Sequence, residues 1–65
     1  MQPYRFALQN DGNQIEELGS MAMPDDRDAV AFAELIARDL ANGSQRGWAV
    51  AIVKGTRTVR SIPVE

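Results

Sequence analysis

The sequence predicts an α+β fold of β-β-α-β-β order, a four-stranded antiparallel sheet with one helix packed on one face. Three observations carry this. Only one stretch, Asp25 to Asn42, combines helical periodicity with the length of a full helix. Two segments before it and two after it alternate apolar with polar or small residues, the period of a half-buried strand. Turn formers divide each pair of strands, Asn10-Asp11-Gly12-Asn13 in the first and Lys54-Gly55-Thr56-Arg57 in the second. Two hairpins joined by a helix most simply give one sheet with the helix across it. The 65 residues predict one domain, 1–65. They leave the order of strands in the sheet open.

In the first strand, 4–9, Tyr4, Phe6 and Leu8 share a face directed at the helix. Asp-Gly between alternating runs marks the hairpin turn, and the return strand starts at Gln14. Met21 and Met23 then fall on the opposite parity from Leu18, which requires a bulge or bend at Gly19-Ser20. Pro24 ends the strand, and Asp25 is placed to cap the helix with Asp28 at its third position. Asp25, Asp26 and Asp28 also suit the positive end of the helix dipole. At about 100° per residue, Ala29, Phe32, Ala33, Ile36, Ala37 and Leu40 share one side, with Val30 and Ala41 at its margin. The alanines allow close approach to the sheet while Phe32, Ile36 and Leu40 supply bulk; Leu35 lies off this stripe between Asp28, Asp39 and Asn42. Asn42-Gly43 predicts a left-handed stop. A loop at 43–47 leads into the clearest strand, 48–53, with Trp48, Val50 and Ile52 on its core face. The last strand, 58–64, carries Pro63, as edge strands do.

Size and composition exclude several classes. A chain this short buries only about 60% of its unfolded surface, so it is marginally stable alone and self-association is one route to further burial. The sequence has no cysteine and no histidine, which removes disulfides, thiolate metal sites and the commonest catalytic base. The N-terminal residues contain no apolar run behind positive charge, and the longest apolar run, 48–53, falls far short of the ~20 residues of a membrane helix. The expectation is a cytoplasmic protein with no membrane partner.

Catalytic machinery is not legible. Nucleophilic catalysis needs a nucleophile beside a base, and nothing places a base near Ser20, Ser44, Ser61, the threonines or Lys54. The carboxylates of Asp25, Asp26 and Asp28 are accounted for by helix capping, and those of Glu16 and Glu17 by an exposed strand. Asp11, Asn13 and Glu16 are oxygen donors around a glycine, but their spacing is not that of a calcium loop. The glycines stand singly at turns and breaks, not as a phosphate-binding loop. No catalytic, cofactor-binding or metal residue is assigned, no cofactor is expected, and the reading is of a protein that is not an enzyme.

Two surfaces remain. Ala7, Ala49, Ala51 and Val53 fall on the sheet face away from the helix, where a solvated antiparallel sheet ordinarily shows polar residues, and form a candidate association face for a homodimer. The net charge of −2 is also divided unequally. Residues 1–43 hold three basic and eight acidic groups, whereas residues 44–65 hold Arg46, Lys54, Arg57 and Arg60 against Glu65 alone. These four basic residues are the candidate nucleic-acid contacts, since a β-ribbon can enter a groove. A sequence pI of about 4.9 disfavours nucleic acid as the partner. The alternative is that opposite charges offset one another across the fold.

Pro3-Tyr4-Arg5-Phe6, Asp11-Gly12, Glu16-Glu17-Leu18-Gly19, Met23-Pro24-Asp25 and the alanine-spaced helix together resemble an uncharacterised bacterial family, a domain of unknown function. Its pattern runs P-x-Y-F, D-G, D-x-x-G, L-P-D, a helix with recurring alanines, then a C-terminal hairpin. Met23 stands where leucine is usual and Arg5 where an aromatic is. The resemblance implies the fold and transfers no active residue. The chain is also similar to the N-terminal domain of HicB-type antitoxins, which implies a module that binds a protein partner, without the DNA-binding segment that family often adds. The expected function is a small non-enzymatic protein-interaction domain that self-associates or binds an unidentified protein. The HicB-like module and nucleic-acid binding through the 44–60 hairpin are the alternatives.

Overall fold

A computed structural model describes residues 1–12, 14–43 and 47–64. The chain runs β1 (Gln2–Asn10), β2 (Ile15–Met23), α1 (Asp26–Asn42), β3 (Trp48–Lys54) and β4 (Arg57–Pro63). The four strands form one antiparallel sheet in the order β2-β1-β3-β4, so both hairpins are present and β1 joins β3 at its centre. This is the α+β, β-β-α-β-β arrangement expected from the alternation and turn signals.

Asn10 organises the first hairpin. Its side-chain oxygen accepts from the backbone N–H groups of Gly12 and Gln14, both at 3.0 Å, and its amide donates to the Gln14 side chain at 2.7 Å. The return strand accordingly begins at Ile15, one residue later than expected, because Gln14 belongs to the loop. In the second hairpin, Gly55 takes φ +64° at the first central position of a two-residue turn, where the primed turns need positive φ.

Both hairpins contain a bulge. Phe6 pairs with Gly19 and Ala7 with Glu17, leaving Leu18 without a partner. Gly19 adopts φ +139°, a backbone angle that side-chain-bearing residues rarely take. The extra residue restores parity, so Leu18, Met21 and Met23 all reach the helix side of the sheet. In the second hairpin Ile52 pairs with Arg60 and Val53 with Thr58, so Val59 is the extra residue. Val59 and Ile62 thereby both pack against the core despite their spacing of three.

The helix begins as expected. Asp25 is extended (φ −158°) and its carboxylate accepts from the Asp28 N–H at 3.0 Å. Its end differs from the left-handed stop expected at Asn42-Gly43. Gly43 has φ −106°, and its N–H donates to the Leu40 carbonyl at 2.9 Å. The last turn tightens to an i→i−3 bond that satisfies the terminal groups without positive φ.

The core lies between α1 and the inner strands. Tyr4, Leu8, Val50 and Ile52 are its largest fully buried side chains, and Phe6, Met23 and Val64 complete the sheet side. Opposite them the helix contributes only Ala29, Ala33 and Ala37 as buried residues. Val30, Phe32, Ile36, Leu40 and Ala41 are half-buried along its flanks, and Trp48 is half-buried and packs against the core from β3, on the face shared with Val50 and Ile52. The alanine ridge brings the helix close to β3 and β4, while its approach to β2 is slight. Phe32 leans toward β1, where its ring meets Phe6 edge-on at 5.2 Å.

Candidate functional site

That offset opens a groove. Phe6, Leu18, Gly19, Ser20, Met21, Phe32 and Ile36 line an apolar cleft of about 150 Å³ between α1 and β2. Phe6 comes from β1; Leu18 and Met21 are turned inward by the bulge; Phe32 and Ile36 are one helical turn apart. Leu18 is 40% exposed and Met21 45%, and Leu35, one position before Ile36 on the outer flank, is 57% exposed. The volume is below the ~300–1,000 Å³ of small-molecule sites. It suits one or two aliphatic side chains.

The groove borders an open strand edge. Among the described residues β2 pairs with β1 alone, so its outer edge presents unpaired N–H and C=O groups. Three carboxylates share this side of the fold. Glu16 pairs with Leu8, a core residue, which places it on the helix side of β2. Asp28 precedes Phe32 by four residues and Asp39 follows Ile36 by three, so both lie on the flank that walls the groove. No lysine or arginine is among the lining residues.

A second cluster ties the start of α1 to the sheet. The Tyr4 hydroxyl donates to Asp26 Oδ1 at 2.6 Å, Lys54 Nζ lies 3.8 Å from the same oxygen, and Arg57 Nη2 reaches Asp26 Oδ2 at 3.3 Å. Lys54 also stands 5.8 Å from the centre of the Tyr4 ring. Burial, reinforced by the bond to Asp26 and the nearby Asp26 and Asp25 charges, pushes the Tyr4 hydroxyl up to about 12. The bond from Tyr4 holds the Asp26 carboxyl below its ordinary range against the opposing effect of desolvation, with Lys54 and Arg57 adding to the lowering. A phenol this weakly acidic is protonated at neutral pH, and the carboxylate beside it is already bonded. The cluster therefore acts as a clasp between β1, α1 and the second hairpin.

This clasp changes the reading of the basic hairpin. Lys54 and Arg57 face Asp26, so two of the expected nucleic-acid contacts already hold a carboxylate. Arg60 stands with Asp26, Arg27, Val30, Ala31, Glu34 and Val59 around an open depression of about 490 Å³, where both signs of charge alternate. Arg46 lies outside the described residues, as does Asn13 of the Asp11, Asn13 and Glu16 donor set.

The structure does bring Ala7, Ala49, Ala51 and Val53 together on the face away from the helix. Ala7 pairs with Ala51, flanked by the Arg5–Val53 and Gln9–Ala49 pairs. Ala7 is only 4% exposed and Ala51 1%, so the two central positions offer almost no apolar area to a partner. The Arg5–Glu17 ion pair, at 3.1 Å, lies on the same face beside Ala7. The expected association face is therefore a thin one. A concave apolar surface lies instead in the α1–β2 groove, which the strand-by-strand reading missed. Its signal was the parity change after Leu18.

The chain matches no known family model, no curated protein and no solved structure.

Proposed function

We propose that this chain is a small non-enzymatic protein-interaction domain that binds through the groove between α1 and β2. The observation that carries this reading is the pairing of the exposed apolar side chains Leu18 and Met21 with an unpaired strand edge in one concave place. Apolar surface next to free backbone donors and acceptors suits a polypeptide, which offers side chains and a backbone together. The clasp around Asp26 is bonded within the chain and supports the scaffold.

The test is photo-crosslinking in cells that carry the gene, with a photoreactive phenylalanine analogue in place of Met21 or, as a control, of the exposed Ser61 on the opposite face. Crosslinking to protein at Met21 and little at Ser61 is the expected result. A product of twice the 7.1 kDa chain mass identifies self-association, and any other mass a different protein. Absence of protein adducts at Met21 overturns the proposal.

A further inference from the structure

Resting on that reading, we infer that the occupant of the groove is an extended, basic segment of another protein, added antiparallel or parallel to β2 as a fifth strand. Three features select it. The free edge of β2 satisfies the backbone of a strand, whereas a docked helix has no use for those groups. The groove runs beside that edge, so alternate side chains of an added strand would point into the space between Leu18, Met21, Phe32 and Ile36. The volume of about 150 Å³ fits small aliphatic anchors and not a row of helical ones.

Charge sets the remaining chemistry. The lining itself is uncharged, while Glu16 lies on the helix side of β2 and Asp28 and Asp39 on the helix flank that carries Phe32 and Ile36. A segment that alternates Lys or Arg with Val, Leu or Ile meets this rim with opposite charge. A second copy presenting the same groove and β2 edge brings the same carboxylates face to face, and residues 1–43 of each copy carry eight acidic against three basic groups. Like charges so placed disfavour two-fold pairing through β2.

The experiment is an NMR titration of the ¹⁵N-labelled full chain with a short acetylated, amidated peptide alternating Lys with Leu and Val, and with its counterpart in which Glu replaces each Lys. The lysine peptide is expected to shift the resonances of 15–23, 32 and 36 and to slow amide exchange along β2. The glutamate peptide is expected to bind about tenfold or more weakly, and affinity for the lysine peptide should fall several-fold between about 50 and 200 mM salt. Met21→Lys should weaken the lysine peptide about tenfold. Because that substitution touches the groove itself, a double reversal at the exposed rim, Glu16→Lys with Asp39→Lys, is the second variant, and it should invert the preference toward the glutamate peptide.

Three results overturn the inference: no binding of the lysine peptide at millimolar concentration, equal binding of both peptides, or binding without added protection along β2. Resonances of β2 that move with protein concentration before any peptide is added assign the groove to a second copy and equally overturn it. A persistent crosslink at Met21 alongside a failed titration removes only the basic-strand occupant. Failure of both removes the interaction reading as well.

Discussion

Ala33→Leu tests the structural cause of the groove, the helix riding on alanine. Ala33 is fully buried, and Ala29 and Ala37 beside it are buried too, so this line of the helix is packed against the sheet with almost no exposed surface. A leucine adds three carbons where no space is open. Either the helix lifts from Val50 and Ile52 or the new side chain takes a strained rotamer, and overpacking of this kind costs about 1–3 kcal/mol. A domain this small has of order 3–5 kcal/mol in total, and each kcal/mol moves Tm by about 4–8 °C. Thermal unfolding followed by circular dichroism should therefore show a fall of about 4–24 °C. Ala31→Leu makes the same chemical change on the exposed side of the same helix and should alter stability by no more than about 0.5 kcal/mol. Equal behaviour of the two variants would refute the close packing of the alanine ridge.

The clasp makes stability depend on pH at both extremes. The folded Asp26 carboxyl titrates below its ordinary 3.8, so its contribution is present above that value and is lost as pH falls through the folded one; Asp26→Asn should remove that part of the acid dependence in denaturation curves. Tyr4 is raised from 10.0 to about 12, so its contribution is intact below pH 10 and is lost as pH rises toward 12; Tyr4→Phe should flatten the alkaline limb. Asp25→Ala removes the acceptor for the Asp28 N–H and should lower stability by about 1 kcal/mol, whereas Asp25→Asn, which keeps an acceptor, should change it much less. Gly19→Ala meets open space but cannot comfortably hold φ +139°, so it should destabilise by more than about 1 kcal/mol in urea titration, with loss of Leu18 from its inward position.

Local signals wrote most of the architecture. Asp25 and Pro24 located the start of the helix, the alternation of Tyr4, Phe6 and Leu8 gave β1 its inner face, and the parity change after Leu18 required the bulge that Gly19 accommodates. The same reasoning applied to Val59 and Ile62, three residues apart and both apolar, would have exposed the second bulge. What could not be read was lateral position. Helical periodicity says which residues face a sheet but not which strands they cover, so it puts Phe32 and Ile36 on the inner stripe without showing that they stop half-buried at the edge of the core. Exposure of the open face failed for a related reason. Ala7 and Ala51 are almost wholly buried on that face, so an apolar identity at those positions is not an apolar surface.

Lateral position also decides what the uneven charge does. The acidic half and the basic half of the chain meet at the start of α1, where Asp26 accepts from Tyr4 and pairs with Lys54 and Arg57. Those contacts hold the N-terminal end of the helix toward β3 and β4, the side from which the two cations come. The alanine ridge allows close approach there, and the two effects act in the same direction. With the helix held to that side, β2 is the strand it covers less, and none of the ion pairs among the described residues involves Glu16, Asp28 or Asp39. The basic hairpin thus satisfies acid at one end of the helix, and the acids left outside those pairs lie on the β2 side, where the apolar groove opens. It follows that weakening the clasp should reach the groove: Lys54→Met with Arg57→Met, which leaves Tyr4 and Asp26 in place, should shift the Leu18, Met21 and Ile36 methyl resonances. Methyl spectra identical to the unsubstituted protein would show that the helix is positioned by the alanines alone.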